Sequence, residues 1–328
     1  MSYKPPYVIT PIIVSLVAKI SEKLGQLSVL KTQENNLYLR RINRIRTIQG
    51  SLAIEGNTLT EMQITAVLDG KAVIAPPREV QEVRNAIKAY EKLTKWRPTS
   101  QQDLLAAHQT LMQGLIDDVG QYRNTGVGVM KGKKVIHMAP SAECVNGLMF
   151  DLFDWLACSD EHPLILSSIF HYEFAFIHPF ADGNGRMGRL WQTLILSQWQ
   201  DIFSYLPVES LIYAHQDDYY LALQQSTKQA NSVPFIEFIL QMILDSCNED
   251  TPQVTPQVKQ LISIVNGEMS KEELMFALSL KDARNFRQRY LLPAISNNLI
   301  EMKQADKPTA RHKNIDWFNY ERPLHKYE

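Results

Sequence analysis

Cysteine is scarce in this chain, with three residues among 328. They are far apart in the sequence and odd in number, at Cys144, Cys158 and Cys247. This pattern excludes a disulfide framework and a paired-cysteine metal site. Because free thiols persist in reducing compartments, we expect a cytoplasmic protein.

The chain also lacks an excess of either charge. It has 34 Lys and Arg residues and 35 Asp and Glu residues, which give a formal net charge of −1. This balance argues against a protein that binds mainly to nucleic-acid phosphates or anionic lipid. No apolar run reaches the ~20 residues that a transmembrane helix requires. The N-terminal segment has prolines and no small-residue cleavage site, and both features argue against a signal peptide. We therefore expect no membrane partner.

Strand patterns are rare as well, and most of the chain has the apolar spacing of amphipathic helices. One stretch differs: in GVGVMKGKKVIHMAP, residues 126–140, β-branched residues on both sides of Lys131-Gly132-Lys133 predict a short β-hairpin. We predict a mostly α fold, and Gly25 is a possible interruption of its first helix. The predicted helices are 11–34, 36–55, 61–69, 79–95, 100–117, 144–158, 163–177, 186–200, 209–228 and 234–247.

A change in composition marks a boundary near the C-terminus. The stretch NEDTPQVTPQV is polar, contains two prolines and predicts a linker. Three short helical patterns and the runs LIEMK and KNIDWF follow it, an order that suggests a winged helix. These helical patterns cover 258–266, 270–279 and 282–297. The predicted units are an N-terminal helical region 1–110, a core 111–247, a linker 248–258 and a winged helix 259–328.

The stretch HPFADGNGRMGR, residues 178–189, contains the residues that most clearly indicate chemistry. Its glycines match G-x-G-x-x-G, but a helix-like segment precedes them, so the dinucleotide-binding interpretation fails on context. A helix, a glycine-rich loop and a second helix are predicted instead. Backbone N–H groups, a helix N-terminus and two arginines are typical of a polyphosphate site. Asp182 is suited to Mg²⁺, and His178 to accepting a proton from an attacking hydroxyl.

This stretch resembles the Fic family signature H-P-F-x-D/E-G-N-G-R-x-x-R, with every fixed position present. Gly120-Gln121-Tyr122-Arg123 and His137-Met138-Ala139-Pro140 are also similar to the family, and the resemblance covers roughly 36–247. It implies a Fic-type helical bundle and transfer of AMP from ATP to a Ser, Thr or Tyr hydroxyl of a target protein or of the chain itself, with release of pyrophosphate. His178 is then the general base, and Asp182 binds Mg²⁺ on the phosphates. The residues assigned to ATP are Gly183, Asn184, Gly185, Arg186, Met187, Gly188, Arg189 and Tyr220.

The resemblance also assigns two regions outside the signature. The hairpin, through Val127, Lys134 and Val135, is similar to a flap that docks an extended target segment by strand addition. Ser51-Leu52-Ala53-Ile54-Glu55-Gly56 resembles an inhibitory motif at the end of a helix over 36–56. Glu55 would contact Arg189, displace the γ-phosphate and leave the protein weakly active. The resemblance further implies a homodimer.

Three alternatives remain open from the residues alone. A DNA-binding regulator is one, because the C-terminal region places four basic residues on one helix; we favour a target-recruiting or dimer-stabilising role for it. A phosphatase or phosphodiesterase with His178 as nucleophile, or a Fic-type enzyme that removes AMP, is another. A metal hydrolase is weak, since His171 and His178 lack a metal-ligand spacing. The four basic residues are Lys281, Arg284, Arg287 and Arg289.

Overall fold

The computed structural model of the chain describes residues 3–30, 36–131, 134–248, 256–265, 267–296, 300–303 and 317–320. It divides into two compact units, Met1–Glu249 and Asp250–Glu328. The division falls within the polar segment 248–258. Within the described ranges, no helix combines the length and apolarity needed to cross a membrane.

Helices form the first unit, apart from one hairpin, which confirms the predicted mostly α class. The hairpin pairs β1 (Gly128–Lys131) with β2 (Lys134–Met138) in antiparallel register, and it lies where the sequence predicted it. The helices are α1 Pro11–Leu30, α2 Asn36–Ile54, α3 Glu61–Leu68, α4 Pro77–Glu91, α5 Gln101–Met112, α6 Ala142–Cys158, α7 Pro163–Ile177, α8 Asn184–Trp199, α9 Val208–Ala214, α10 Gln216–Gln229 and α11 Val233–Asn248.

Several predicted helices of the first unit differ from the observed ones. Helix α4 ends at Glu91, not at 95, and a separate 3₁₀ turn covers Leu93–Lys95. Helix α1 continues through Gly25, because a single glycine costs only about 1 kcal/mol and the buried face of α1 is otherwise intact. Helix α5 ends at Met112, not at 117, since Gln113 is extended and Gly114 has a positive φ of 74°. The predicted helix 209–228 is two helices, because His215 leaves helical geometry at φ −114° and ψ 36°.

Helices α7 and α8 form the centre of the first unit. Both helices pack against Phe153 of α6: the ring centroid of Phe170 on α7 lies 5.7 Å away in an edge-on contact, and that of Trp191 on α8 lies 6.4 Å away. A Cβ atom at Gly188 would lie 2.9 Å from Cδ2 of His171, so glycine allows α8 to pack closely against α7. The two helices therefore hold the connecting loop, which contains the signature residues, on a rigid base. Fully buried rings in this unit include Phe170, Phe174, Phe180, Trp191 and Phe235.

The second unit combines short helices with a three-stranded sheet. The sheet order is β3-β5-β4, with antiparallel pairing throughout. Strand β3 was not predicted, because it forms by pairing with β5 some 50 residues later, a contact that local sequence does not encode. The segment QADKPTARH lies outside the described residues, and the winged helix stays a prediction. The elements are α12 Pro256–Ile264, β3 Gly267–Ser270, α13 Lys271–Ala277, α14 Ala283–Phe286, a π-helical turn Arg287–Leu291, α15 Leu292–Ser296, β4 Glu301–Lys303 and β5 Trp317–Tyr320.

Candidate active site

The loop between α7 and α8 begins and ends at residues with left-handed backbone geometry. His178 caps α7 with φ 52° and ψ 60°, and Gly183 precedes α8 with φ 85°. Pro179 follows the cap, as is common where a helix stops. The predicted arrangement of helix, glycine-rich loop and helix is confirmed.

His178 is half-buried at the start of this loop. Its Nδ1 lies 3.4 Å from the carbonyl oxygen of Ala175, one turn back on α7. Its own carbonyl accepts a hydrogen bond from Nε of Arg123 at 2.7 Å. The backbone of the candidate base is thus tied to a side chain from a distant part of the sequence.

A second histidine, His108 on α5, supports the same loop and was missed by the sequence reasoning. Its ring stacks on Phe180 at 3.7 Å, its Nδ1 accepts the Gly120 N–H at 2.9 Å, and its Nε2 lies 3.0 Å from the carbonyl of Asp182. This pattern requires the neutral form that carries its proton on Nε2. Burial lowers its pKa to about 4. A polar residue on the apolar face of α5 was the only available signal.

Several signature residues shape the loop and helix from within. The side-chain amide of Asn184 accepts from the N–H of Phe180 at 2.9 Å and donates to its carbonyl at 2.8 Å. Met187 is fully buried, and its N–H donates to the carbonyl of Gly183. Gly188 lies at the contact between α7 and α8. The assignment of Met187 and Gly188 to ATP stays a prediction.

Arg186, by contrast, lies in a network of charged side chains. Its Nη2 contacts Oδ1 of Asp182 at 3.1 Å, and its Nη1 lies 3.5 Å from Oε1 of Glu82 on α4. Arg78, one turn before Glu82 and more than half exposed, contacts Oδ2 of Asp182 at 3.4 Å. Asn57, just beyond α2, donates to the other oxygen of Glu82 at 2.9 Å. The sequence reasoning missed Arg78 and Glu82, although their spacing of four on one helix is typical of an ion pair.

Arg189 is 1% exposed and is bound by the end of α2. Its Nε donates to Oγ of Ser51 at 3.1 Å, and its Nη2 donates to the Ser51 carbonyl at 2.9 Å and to Oε1 of Glu55 at 2.7 Å. Burial opposes the charge, but the Glu55 carboxylate outweighs it and raises the pKa of Arg189. The structure therefore brings the predicted pair, Glu55 and Arg189, into contact.

Gly185 lies directly beneath this ion pair. A Cβ atom at this position would lie 2.3 Å from Oε1 of Glu55 and 3.1 Å from Nη1 of Arg189. That Nη1 atom is buried and has no hydrogen-bond partner among the residues that the structure describes, and the same is true of Nε of Arg186. Buried donors without acceptors are costly, so these atoms are suited to an anionic ligand.

The two tyrosines of α10 have different environments. Tyr219 is 3% exposed, and its hydroxyl lies 3.1 Å from Nε2 of His171 in the core. Tyr220 is half-buried and packs edge-on against Tyr219 at 5.4 Å. His171 is fully buried, its Nδ1 lies 2.5 Å from Oε1 of Gln192, and burial lowers its pKa to about 3. His171 is therefore a packed residue of the core.

The hairpin begins close to the loop. Val127 is half-buried, and its carbonyl accepts the N–H of Ala139 at 3.3 Å. Lys134 lies on β2 opposite Lys131, and Val135 lies opposite Met130. The side chains of Lys134 and Val135 are outside the described part of the structure, so their docking role stays a prediction.

The Asp182 carboxylate is suited to a metal that is carried by a phosphate ligand. This side chain is 41% exposed, and Mg²⁺ usually combines one or two carboxylates with substrate oxygens and water. Among the described residues, no group of three or more His, Cys, Asp or Glu side chains forms a metal site. A metal here would need oxygen ligands from a substrate.

Two family profiles match the chain. The Fic/DOC family profile matches residues 98–196, which include the loop, and that of the Fic-like C-terminal domain, "Filamentation induced by cAMP protein Fic-like", matches residues 256–314. Among curated proteins, "Protein adenylyltransferase Fic" of Nematostella vectensis is 29% identical over 239 residues, and that of Drosophila grimshawi is 29% identical over 265 residues. The alignments cover 68% and 74% of this chain but 53% and 52% of those proteins, so the chain spans about half their length.

Solved structures extend the similarity. Fic-1 from C. elegans, residues 134–508, is 24% identical, with a TM-score of 0.57 over 72% of this chain and 70% of that chain, and supports the fold alone. A Fic family protein from Desulfovibrio desulfuricans G20 is 52% identical, with a TM-score of 0.74 over 98% of this chain and 99% of that chain. On identity of this extent over nearly the full length of both chains, this chain belongs to the Fic family.

Proposed function

We propose that the chain is a protein adenylyltransferase, which transfers AMP from ATP to a Ser, Thr or Tyr hydroxyl of a target protein or of itself and is held weakly active by Glu55. The names of the curated relatives support the activity, and the contacts of Arg189 support the inhibition. Transfer forms a bond from the hydroxyl oxygen to the α-phosphorus of ATP and breaks the bond to the pyrophosphate, which leaves. The hydroxyl proton passes to the general base.

The phosphates of ATP would lie at the N-terminus of α8. The first N–H groups of a helix have no acceptor within it, so those of Asn184, Gly185 and Arg186 are available to phosphate oxygens. The unpartnered Nη1 of Arg189 is next to Gly185, and it would bind the γ-phosphate. This buried donor without an acceptor is the observation that carries the proposal. Tyr220, half-buried on α10, stays a predicted contact for the nucleotide.

His178 would act as the general base. Donation from Nδ1 to the Ala175 carbonyl favours the tautomer that leaves the Nε2 lone pair available for the hydroxyl proton. A bound Mg²⁺ would neutralise phosphate charge, and Asp182 is the residue suited to hold it. Arg78 would then move away from Asp182, which is feasible because its side chain is more than half exposed.

Glu55 would act as an electrostatic brake. Its carboxylate occupies Nη2 of Arg189 and lies over Gly185, so a triphosphate at the start of α8 meets a negative charge where the γ-phosphate would bind. The carboxylate and the γ-phosphate are both negative, and neighbouring like charges repel strongly when water is excluded. ATP binding would therefore require Glu55 to leave, and the isolated protein would transfer AMP slowly.

A labelling experiment tests both parts of the proposal. Purified wild type, Glu55→Gly and Glu91→Gly are incubated with cell lysate, Mg²⁺ and ATP labelled on its α-phosphorus, and protein-bound label is measured. We expect at least about tenfold more label with Glu55→Gly than with wild type, since the carboxylate that repels the γ-phosphate is removed and Nη2 of Arg189 is released. Glu91→Gly is the matched control, because Glu91 is an exposed glutamate at the end of another helix, α4.

The possible outcomes separate activity from inhibition. If none of the three proteins attaches AMP, the proposed activity is wrong. If wild type and Glu55→Gly label equally, or Glu91→Gly increases labelling as much, the brake is wrong. Self-association, a cytoplasmic location and DNA contacts by residues 259–328 stay predictions.

A further inference from the structure

Arg123 ends the Gly120-Gln121-Tyr122-Arg123 motif, and the proposed function gives it no role. Its side chain is 6% exposed, and its guanidinium lies among backbone carbonyls. Nε donates to the carbonyl of His178 at 2.7 Å, and Nη2 donates to that of Ile177 at 3.2 Å. Nη1 donates to Thr125 at 2.9 Å, and Nη2 also donates to Pro140 at 2.7 Å. One side chain thus binds three separate segments of backbone.

These segments have distinct places in the site. Thr125 and Pro140 flank the hairpin at its two ends, whereas Ile177 and His178 form the end of α7 and the start of the signature loop. The backbone N–H of Arg123 adds a bond to the carbonyl of Pro179 at 2.9 Å. The guanidinium therefore connects the base of the hairpin to the backbone of the candidate base.

His178 has a particular need for such support. A left-handed backbone is unfavourable for any residue with a side chain, and His178 adopts it with φ 52°. The cation of Arg123 also suits the C-terminus of α7, where carbonyl dipoles concentrate negative charge. Lysine would keep the charge. Its single nitrogen, however, cannot contact all the carbonyls that the three nitrogens of the planar guanidinium group reach on different sides.

We infer that Arg123 is a positioning residue, which sets the orientation of His178 and couples it to the hairpin that would hold the target. The inference rests on the proposed function and adds a specific mechanical link to it. A target segment that is hydrogen-bonded to the hairpin would be placed in register with the imidazole through one guanidinium. The contacts of Arg123 do not include Arg189 or Gly185, so the γ-phosphate end of the site is independent of it.

The test compares Arg123→Lys, Arg123→Ala and Arg97→Ala, all in the Glu55→Gly protein. Arg97 is an exposed arginine paired with Asp103, and it serves as the control. We expect the Arg123 variants to transfer AMP about 100-fold more slowly, since small displacements of reacting groups have effects of this size. Their ATP affinity should stay within about threefold of the parent. Millimolar guanidinium should partly restore transfer by Arg123→Ala and leave Arg97→Ala unchanged.

Hydrogen exchange gives a readout that does not require any transfer. Arg123→Lys should exchange faster than the parent both in peptides that span β1 and β2 and in those that span 174–182, with α10 unchanged. If transfer is unaffected, if ATP affinity falls in parallel with it, or if exchange rises in only one of the two segments, the inference is wrong. If the Glu55→Gly parent attaches no AMP at all, the proposed function fails, and the exchange data alone decide whether Arg123 couples the hairpin to the loop.

Discussion

The two ends of the signature loop are held by opposite kinds of interaction. At the histidine end, side chains bind backbone groups: His108 bridges the Gly120 N–H and the Asp182 carbonyl, and Arg123 binds the carbonyl of His178. At the arginine end, the carboxylates of Glu82 and Glu55 pair with Arg186 and Arg189, and one donor on each arginine has no acceptor among the described residues.

This difference shows which end of the site keeps one geometry and which end can exchange its carboxylate partners for phosphates. Hydrogen bonds to backbone carbonyls are independent of any ligand, so they keep the histidine end in one geometry. Ion pairs with carboxylates can be replaced by ion pairs with phosphates, which offer the same charge and fork geometry. We therefore expect substitutions at the histidine end to change catalysis or stability, and those at the arginine end to change ATP binding.

The largest expected effect is a loss of catalysis without a loss of ATP binding. In the Glu55→Gly protein, His178→Ala should lower the rate of AMP transfer by about 10²- to 10⁴-fold, the usual contribution of a general base. ATP affinity, measured by calorimetry, should change little because the arginine end is intact. A parallel loss of affinity would show that the two ends do not act separately.

The next effect concerns stability and comes from His108. Burial lowers its pKa from the ordinary 6.5 to about 4, although its bond to the Asp182 carbonyl opposes the shift. The unfolded chain therefore takes up a proton below pH 6.5 that the folded protein does not, and stability falls as the pH falls towards 4. The expected loss from this residue is about 2 kcal/mol between pH 7 and pH 5.

His108→Gln should remove that part of the pH dependence. The glutamine amide has an oxygen to accept the Gly120 N–H and a nitrogen to donate to the Asp182 carbonyl, but it does not titrate. Urea unfolding of both proteins at pH 7 and pH 5 measures the difference. His171 shifts in the same direction and remains in both proteins, so a residual slope is expected. Identical slopes would contradict the assignment of His108 as a neutral support.

The smallest expected effect tests whether Glu55 limits ATP binding at the arginine end. Gly185→Ala places a methyl group where Oε1 of Glu55 lies, at 2.3 Å, and the longer carboxylate side chain should give way. We expect ATP affinity to rise by up to about tenfold in the otherwise unaltered protein. In the Glu55→Gly background, the same substitution should give no increase. An equal change in both backgrounds would mean that the methyl group acts on the nucleotide and not through Glu55.

Much of the site was predictable because its residues are close in the sequence. The spacing of His178, Asp182, Arg186 and Arg189 indicated a loop and a helix N-terminus, and that geometry is observed. The break at His215 and the strand β3 were not predictable, since both depend on packing between distant segments. Asn184 was assigned to phosphate, yet its side chain closes the loop on Phe180, a contact that spacing alone does not distinguish.

The sequence by itself determined the mostly α class, the position of the hairpin and the chemical groups of the loop, because periodicity, turn residues and motif spacing are local properties. Tertiary structure alone decided which of these groups contact side chains from distant parts of the sequence. Only folding brings Glu55 to Arg189, Glu82 to Arg186 and Arg123 to the carbonyl of His178, across separations of 134, 104 and 55 residues. Such contacts depend on how helices pack, and packing is set by the whole core and not by any one segment.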